Sequence, residues 1–143
     1  MILAPDLDSR ATRVTLERAM SAPPQALYRA WTQGFDRWFA APGTVLMSAR
    51  VDAPFFFETR FQGERHAHYG RFLALEPDRL VQMTWVTAAG TRGVETVVTV
   101  QLSPHGSGTT LKLEHAGFPD EESRRRHDAA WPQVLQQLDE VVS

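Results

Sequence analysis

The closing third of the chain constrains its fold most. A polar hairpin, His105-Gly106-Ser107-Gly108, leads into an alternating segment from Thr109 to Ala116, then Gly117-Phe118-Pro119-Asp120 and a long helical pattern ending near Val142. In that last pattern Trp131, Val134, Leu135, Leu138 and Val142 recur at the spacing that places all five on one helix face. Almost everything upstream reads as short strands, so this face needs a sheet to cover it. A twisted sheet wrapped round one long helix can enclose a pocket.

The rest of the chain supplies that sheet. Thr12 to Arg18 alternates with Val14 and Leu16 on one side, and the Ser21-Ala22-Pro23-Pro24 stop is followed by a short helix over Gln25 to Thr32. Leu27, Tyr28 and Trp31 share one side of that helix. Gly34 ends it, and Phe35 to Phe39 forms a second turn before Pro42-Gly43. Further strands are expected at Thr44 to Val51, Pro54 to Gln62, His66 to Leu75, Leu80 to Thr87, Val94 to Ser103 and Thr109 to Ala116. The separators are Gly-, Pro- and Asp-rich, residues that supply positive or preset φ at turns.

Alternation sorts the faces. Phe55, Phe57, Thr59 and Phe61 oppose Glu58, Arg60 and Gln62; Val94, Thr96, Val98, Val100 and Leu102 oppose Glu95, Thr99 and Gln101; Leu111, Leu113 and His115 oppose Lys112 and Glu114. One face is covered and the other wet, as an antiparallel sheet allows. In His66 to Leu75 the parity is split, with His66, His68, Gly70 and Phe72 on one side and Tyr69, Leu73 and Leu75 on the other; a β-bulge reconciles them. The last helix is expected to start at Asp120, a capping carboxylate, with Glu121 and Glu122 near the positive dipole end. Pro132 interrupts its pattern and predicts a kink near Asp128 to Trp131.

At 143 residues the chain suits a single domain over 12–143 behind a loose lead-in, 1–11. The net charge of −2 gives no electrostatic case for nucleic acid or an anionic membrane. Fourteen of the fifteen basic residues are Arg, which is read as genomic composition bias. With no cysteine, disulfides, thiolate nucleophiles and Cys-based metal sites are excluded. No signal peptide, transit peptide or membrane-length apolar run is found, so a cytoplasmic location is expected.

Several motifs together carry a resemblance. Ala26-Leu27-Tyr28-Arg29-Ala30-Trp31-Thr32 with Trp38-Phe39, Gly70-Arg71-Phe72-Leu73-Ala74-Leu75-Glu76-Pro77-Asp78-Arg79-Leu80-Val81 with Thr84-Trp85, Val97-Val98-Thr99-Val100, and Leu113-Glu114-His115-Ala116-Gly117-Phe118-Pro119 ahead of the final helix stand in this order. The chain resembles the START-like, or SRPBCC, superfamily, in the branch named after the activator of heat-shock protein 90 ATPase. That resemblance implies an α+β helix-grip fold: a curved seven-stranded antiparallel sheet round the C-terminal helix, two short helices after the first strand, and a mostly apolar cavity. Only about eleven residues precede the first strand, so chaperone contact is not expected.

By parity the cavity is lined by Trp31, Trp38, Phe39, Phe55, Phe57, Met83, Trp85, His115, Trp131 and Leu135, a set suited to a small hydrophobic or aromatic ligand. The competing reading of each is a solid core, and of His115 a buried neutral imidazole. His66, His68 and His115 could share a metal, but no carboxylate has matching parity, so no metal or other cofactor is expected. His127, one turn before Trp131, is read as a solvated helix position, with a place over the pocket mouth as the alternative. Glu58, Glu95 and Glu114 belong to the wet face, and Arg124-Arg125-Arg126 pairs with Glu121 and Glu122 along the helix. No catalytic set is assigned. A cyclase- or hydrolase-type enzyme moving a proton through His115, Tyr69 or Tyr28 is the second function class, and a protein-interaction module, as chaperone partner or homodimer, is the third.

Overall fold

The computed structural model describes residues 4–8, 10 and 12–142. β1 (Arg13–Met20) is followed by α1 (Pro24–Thr32) and a single 3-10 turn, Phe35–Arg37. Then come β2 (Pro54–Phe61), β3 (Glu64–Glu76), β4 (Leu80–Thr87), β5 (Thr96–His105), β6 (Gly108–Ala116) and α2 (Glu121–Val142). The strands form one antiparallel sheet in the order β1-β6-β5-β4-β3-β2, so the first strand returns to pair with the last. This is the α+β helix-grip architecture, with α2 laid on the inner face.

The sheet has six strands among the described residues, not the seven expected. Residues 44–51 supply one bridge only, in which Leu46 and Phe56 exchange backbone hydrogen bonds of 2.8 and 2.9 Å. Beyond it the chain turns at Ser48 to Ala53, where Asp52 adopts φ 68°, and a ladder cannot continue through that conformation. The bulge expected in β3 is present, as a register shift between Phe72 and Ala74. It brings Leu75 back to the core alongside Phe72 while Tyr69 stays on the outer face, 49% exposed. Just before the bulge, Gly70 passes so close to β4 that a Cβ there would stand 2.2 Å from the Thr84 carbonyl oxygen.

α2 starts as its sequence requires. Asp120 Oδ1 accepts the Ser123 N–H at 2.8 Å, a side-chain cap on the first turn. The helix is not interrupted at Pro132: it runs from Glu121 to Val142, with the proline ring on the exposed side. Glu122 pairs with Arg126 as expected, whereas Glu121 pairs with Arg124, one residue short of the anticipated Arg125. Ahead of β1, Arg10 donates to the carbonyls of Glu95 and Gly117, at 3.0 and 2.5 Å, so this part of the lead-in is docked over the β6–α2 link. The remainder of that lead-in, Met1 to Leu3 and residues 9 and 11, lies outside the described residues.

A buried carboxylate that periodicity does not reveal fixes the far end of α2. Asp139 accepts the Ser21 N–H with both oxygens, at 2.9 and 3.0 Å, and the Ala22 N–H at 3.1 Å. The Ser21 hydroxyl adds a bond of 3.2 Å. These donors lie in the turn between β1 and α1, so one side chain ties α2 to both. Hydrogen bonds to a charged group are each worth about 1.5–3 kcal/mol, and removing the acceptor strands buried N–H groups. Asp139→Ala is expected to lower unfolding free energy by about 2–3 kcal/mol in urea titrations, while the exposed neighbour change Glu140→Ala stays within about 0.5 kcal/mol.

Candidate functional site

The interior between sheet and α2 is filled mainly by rings. Trp31 from α1, Phe35 and Trp38 from the following turn and Phe57 from β2 are all buried. Phe35 stacks on Phe57 at 4.9 Å and on Trp38 at 5.0 Å, and Trp31 meets Trp38 edge-on at 5.0 Å. Offset stacks and edge contacts of this kind add about 0.5–1.5 kcal/mol per pair beyond area burial. Trp38 is further locked by its indole N–H, which donates to the Ala30 carbonyl at 3.0 Å. Its own carbonyl accepts from Gln137 of α2 at 2.6 Å.

One side of this cluster remains open. Phe39, His68 of β3 and Trp85 of β4 face His127, Ala130, Trp131 and Val134 of α2 across a cleft of ≈ 130 Å³. No lining side chain is a carboxylate, Lys or Arg. A larger depression of ≈ 700 Å³, bounded by Pro23, Asp78, Arg79, Pro104 and Gly108, is an open surface groove away from the ring cluster.

The expected lining residues therefore divide. Phe39, Trp85 and Trp131 reach the cleft; Trp31, Trp38, Phe55, Phe57, Met83 and Leu135 are buried in the core behind it. His115 is fully buried beneath Trp131. His68, Ala130 and Val134 join the wall without having been assigned to it, and His127 corrects its reading as a solvated position. It is half-buried, with its ring 4.8 Å from His115 and 5.0 Å from Phe118. For His68 the signal was present in its shared parity with Phe72, but the split pattern of β3 concealed it. Tyr69 points away on the outer face, and Tyr28 packs partly buried on the core without lining the cleft. The wet-face carboxylates are paired, Glu58 with Arg65 and Glu114 with Arg13, and Glu95 lies 3.9 Å from Arg71.

Hydrogen bonding assigns each imidazole. The Trp131 indole can only donate, and it bonds His115 Nδ1 at 3.1 Å, so Nδ1 is the acceptor and Nε2 carries the hydrogen. Nε2 is 2.7 Å from the Thr96 hydroxyl, which in turn donates to the Trp85 carbonyl at 2.6 Å. Both ring nitrogens are thereby used within the protein. His68 and His127 have the opposite tautomer: Nδ1 of each lies against a carbonyl, that of His66 at 3.1 Å and of Ser123 at 2.8 Å, and must donate. Burial pushes His68 down to about 4 and His115 well below the ordinary imidazole value, and it lowers His127 too. The cleft is lined by neutral rings at neutral pH.

The sequence profile of the Activator of Hsp90 ATPase homolog 1-like protein family matches residues 21–143. The chain belongs to this family. Among solved structures, the protein CV1439 of Chromobacterium violaceum is 30% identical over 91% of this chain and 96% of its own, with a TM-score of 0.80. MLL2253 of Mesorhizobium loti is 28% identical over 91% and 96%, with a TM-score of 0.74. The Aha1 dimer of Colwellia psychrerythraea, 18% identical over 92% and 96% with a TM-score of 0.70, shares the fold. No curated protein matches the chain. Within the Activator of Hsp90 ATPase homolog 1-like fold, no described helix is long and apolar enough to cross a membrane.

The buried imidazoles give stability a pH dependence with a definite sign. Unfolded histidine takes up a proton near 6.5, whereas native His68 does so only near 4, and burial holds His115 well below the ordinary value. Stability is therefore full above about pH 6.5 and falls as the pH drops toward about 4, on the order of 1.4 kcal/mol per pH unit for each such group. Urea midpoints at pH 7, 6 and 5 are expected to decline, and His68→Phe is expected to make that decline shallower. An unchanged slope in this variant means that His68 is not held neutral.

Proposed function

We propose that the protein binds a small hydrophobic or aromatic molecule in the cleft between β3, β4 and α2, with no catalysis assigned. The observation that carries this reading is the cleft wall: Phe39, Trp85, Trp131 and Val134 offer apolar surface, and the polar groups among them are neutral imidazoles and indoles. The volume sets the size of the occupant. At ≈ 130 Å³ the cleft is smaller than the roughly 300–1,000 Å³ of pockets for drug-sized ligands, and close to the ~150 Å³ that holds benzene in an engineered protein cavity. A single six-membered ring suits it. A charged ligand would enter without a counter-ion among the lining residues, which favours a neutral one.

Ala130 provides the test, because it lines the cleft yet is exposed on the helix, so enlarging it obstructs the site without disturbing the core. In a thermal-shift series of neutral one- and two-ring compounds, a ligand at 100 times its Kd adds about 2.7 kcal/mol to the parent. Ala130→Trp is expected to keep its own melting temperature and lose that response. If no compound shifts the parent, or if Ala130→Trp responds equally, binding at this cleft is wrong.

A homodimer is the second reading, supported by an apolar row on the outer face next to the edge strand. Leu46 pairs with Phe56, and Phe56 with Tyr69, so the three lie side by side, Leu46 70% and Tyr69 49% exposed. Sedimentation should show a dimer that Leu46→Glu dissociates; a monomeric parent at high concentration removes this reading.

A further inference from the structure

Three polar ring atoms of the cleft wall lack a protein partner among the described residues. Nδ1 of His68 and of His127 is committed to a carbonyl, which leaves each neutral ring with an Nε2 lone pair and no donor. The Trp85 indole N–H likewise has no acceptor, although Trp85 is 2% exposed and its carbonyl is engaged by Thr96. By contrast the Trp131 N–H, on the same wall, is bonded to His115. The cleft thus offers unused acceptors beside an unused donor, and the His68 and Trp85 rings are adjacent, 5.4 Å apart and edge-to-face.

A pure hydrocarbon would bury these atoms without the hydrogen bonds they make to water. A ketone or ether oxygen answers only the indole, and an amide answers both only through two separate atoms, its N–H and its carbonyl, where the adjacent His68 and Trp85 rings call for one. A hydroxyl answers both, since it donates once and accepts through its lone pairs. We propose that the cleft selects a neutral single-ring phenol, whose hydroxyl hydrogen goes to His68 Nε2 and whose oxygen receives the Trp85 N–H. The His127 Nε2 is a second acceptor at the helix side, beside Gly90, where an added Cβ would lie 3.3 Å from it. The ring itself lies among Phe39, Trp131 and Val134. No bond to carbon is made or broken. This rests on the cleft being a binding site, and adds what distinguishes one aromatic from another.

The probes are phenol and toluene, of nearly the same shape and differing in the hydroxyl. Titration calorimetry on the whole protein is expected to give phenol at least tenfold tighter binding, since discrimination by hydrogen-bonding sites exceeds that of apolar pockets. His68→Phe, which keeps a flat ring where His68 now stacks 5.0 Å from Phe57, is expected to abolish the preference while retaining toluene. A measurement on the unaltered protein guards against misfolding of that variant. Among the indole N–H signals in nitrogen-15 spectra, that of Trp85, identified by its loss in Trp85→Phe, should move with phenol and not with toluene. Equal affinity for the two probes, a preference surviving in folded His68→Phe, or a Trp85 signal unmoved by saturating phenol overturns the hydroxyl selection alone. Failure of both probes to bind overturns the binding reading and this inference with it.

Discussion

The neutral imidazole of His115 joins α2 to three strands, because each of its nitrogens accommodates only one kind of partner. Trp131 donates from the helix into Nδ1 on β6; Nε2–H donates to Thr96 on β5; the Thr96 hydroxyl donates to the backbone of Trp85 on β4. Every donor in this chain has one acceptor, and no step can be reversed without stranding the indole or the carbonyl. Protonating His115 would remove the acceptor that Trp131 needs and bury a charge, two costs of the same sign. The position of Trp131, and hence of the face α2 turns to the cleft, follows from this one tautomer. Asp139 fixes the same helix two turns later through the β1–α1 turn, so α2 is held at two separated points and its rotation about its axis is determined.

With the helix fixed, the size of the cleft follows from the rings beneath it. Had the early helix and turn carried small residues, the space between sheet and α2 would be a large cavity. Instead Trp31, Phe35 and Trp38 fill it against Phe57, with Trp31 burying its indole N–H without a conventional acceptor. An orphan donor of this kind costs about 1–3 kcal/mol, which the surrounding aromatic contacts must offset. What remains open is the margin where Phe39 and His68 meet the middle of the helix. The helix grips a filled interior and leaves a single-ring gap at its edge.

Alternation and helix periodicity made most of this architecture legible, and each miss has a local cause. β5 and β6 alternate without interruption and their inward strand residues are buried, whereas on β2 this holds for Phe55 and Phe57 but not for Phe61, which is 65% exposed at the end of the edge strand. Residues 44–51 have strand-like composition but cannot extend a ladder past the turn at Ser48 to Ala53, where pairing ends after Leu46. The parity of β3 is continuous only across a bulge, so His68 could not be placed inside until the shift after Phe72 was located. On α2 the apolar stripe marked the buried face but ignored polar residues on it; Asp139 and His127 are both within that face or at its margin, Asp139 binding the distant backbone of the β1–α1 turn and His127 the Ser123 carbonyl one turn back. Parity says which side of a sheet a ring occupies, but not how deep it lies. That is why Phe55, Met83 and Leu135 are core residues while Phe39 is wall.

Three histidines in one region show how backbone surroundings, more than burial, divide structural from available groups. His68 and His115 are comparably inaccessible and both are kept neutral by desolvation. They differ in what Nδ1 meets. A carbonyl at Nδ1 forces the hydrogen there and leaves an outward lone pair at Nε2, as in His68 and His127; an indole N–H at Nδ1 forces the hydrogen to Nε2, which Thr96 then consumes. The first arrangement leaves an Nε2 acceptor without a protein donor among the described residues, and the second leaves none. Since a carbonyl cannot donate and an indole cannot accept, these roles hold without locating any hydrogen, and they persist as long as the rings stay neutral.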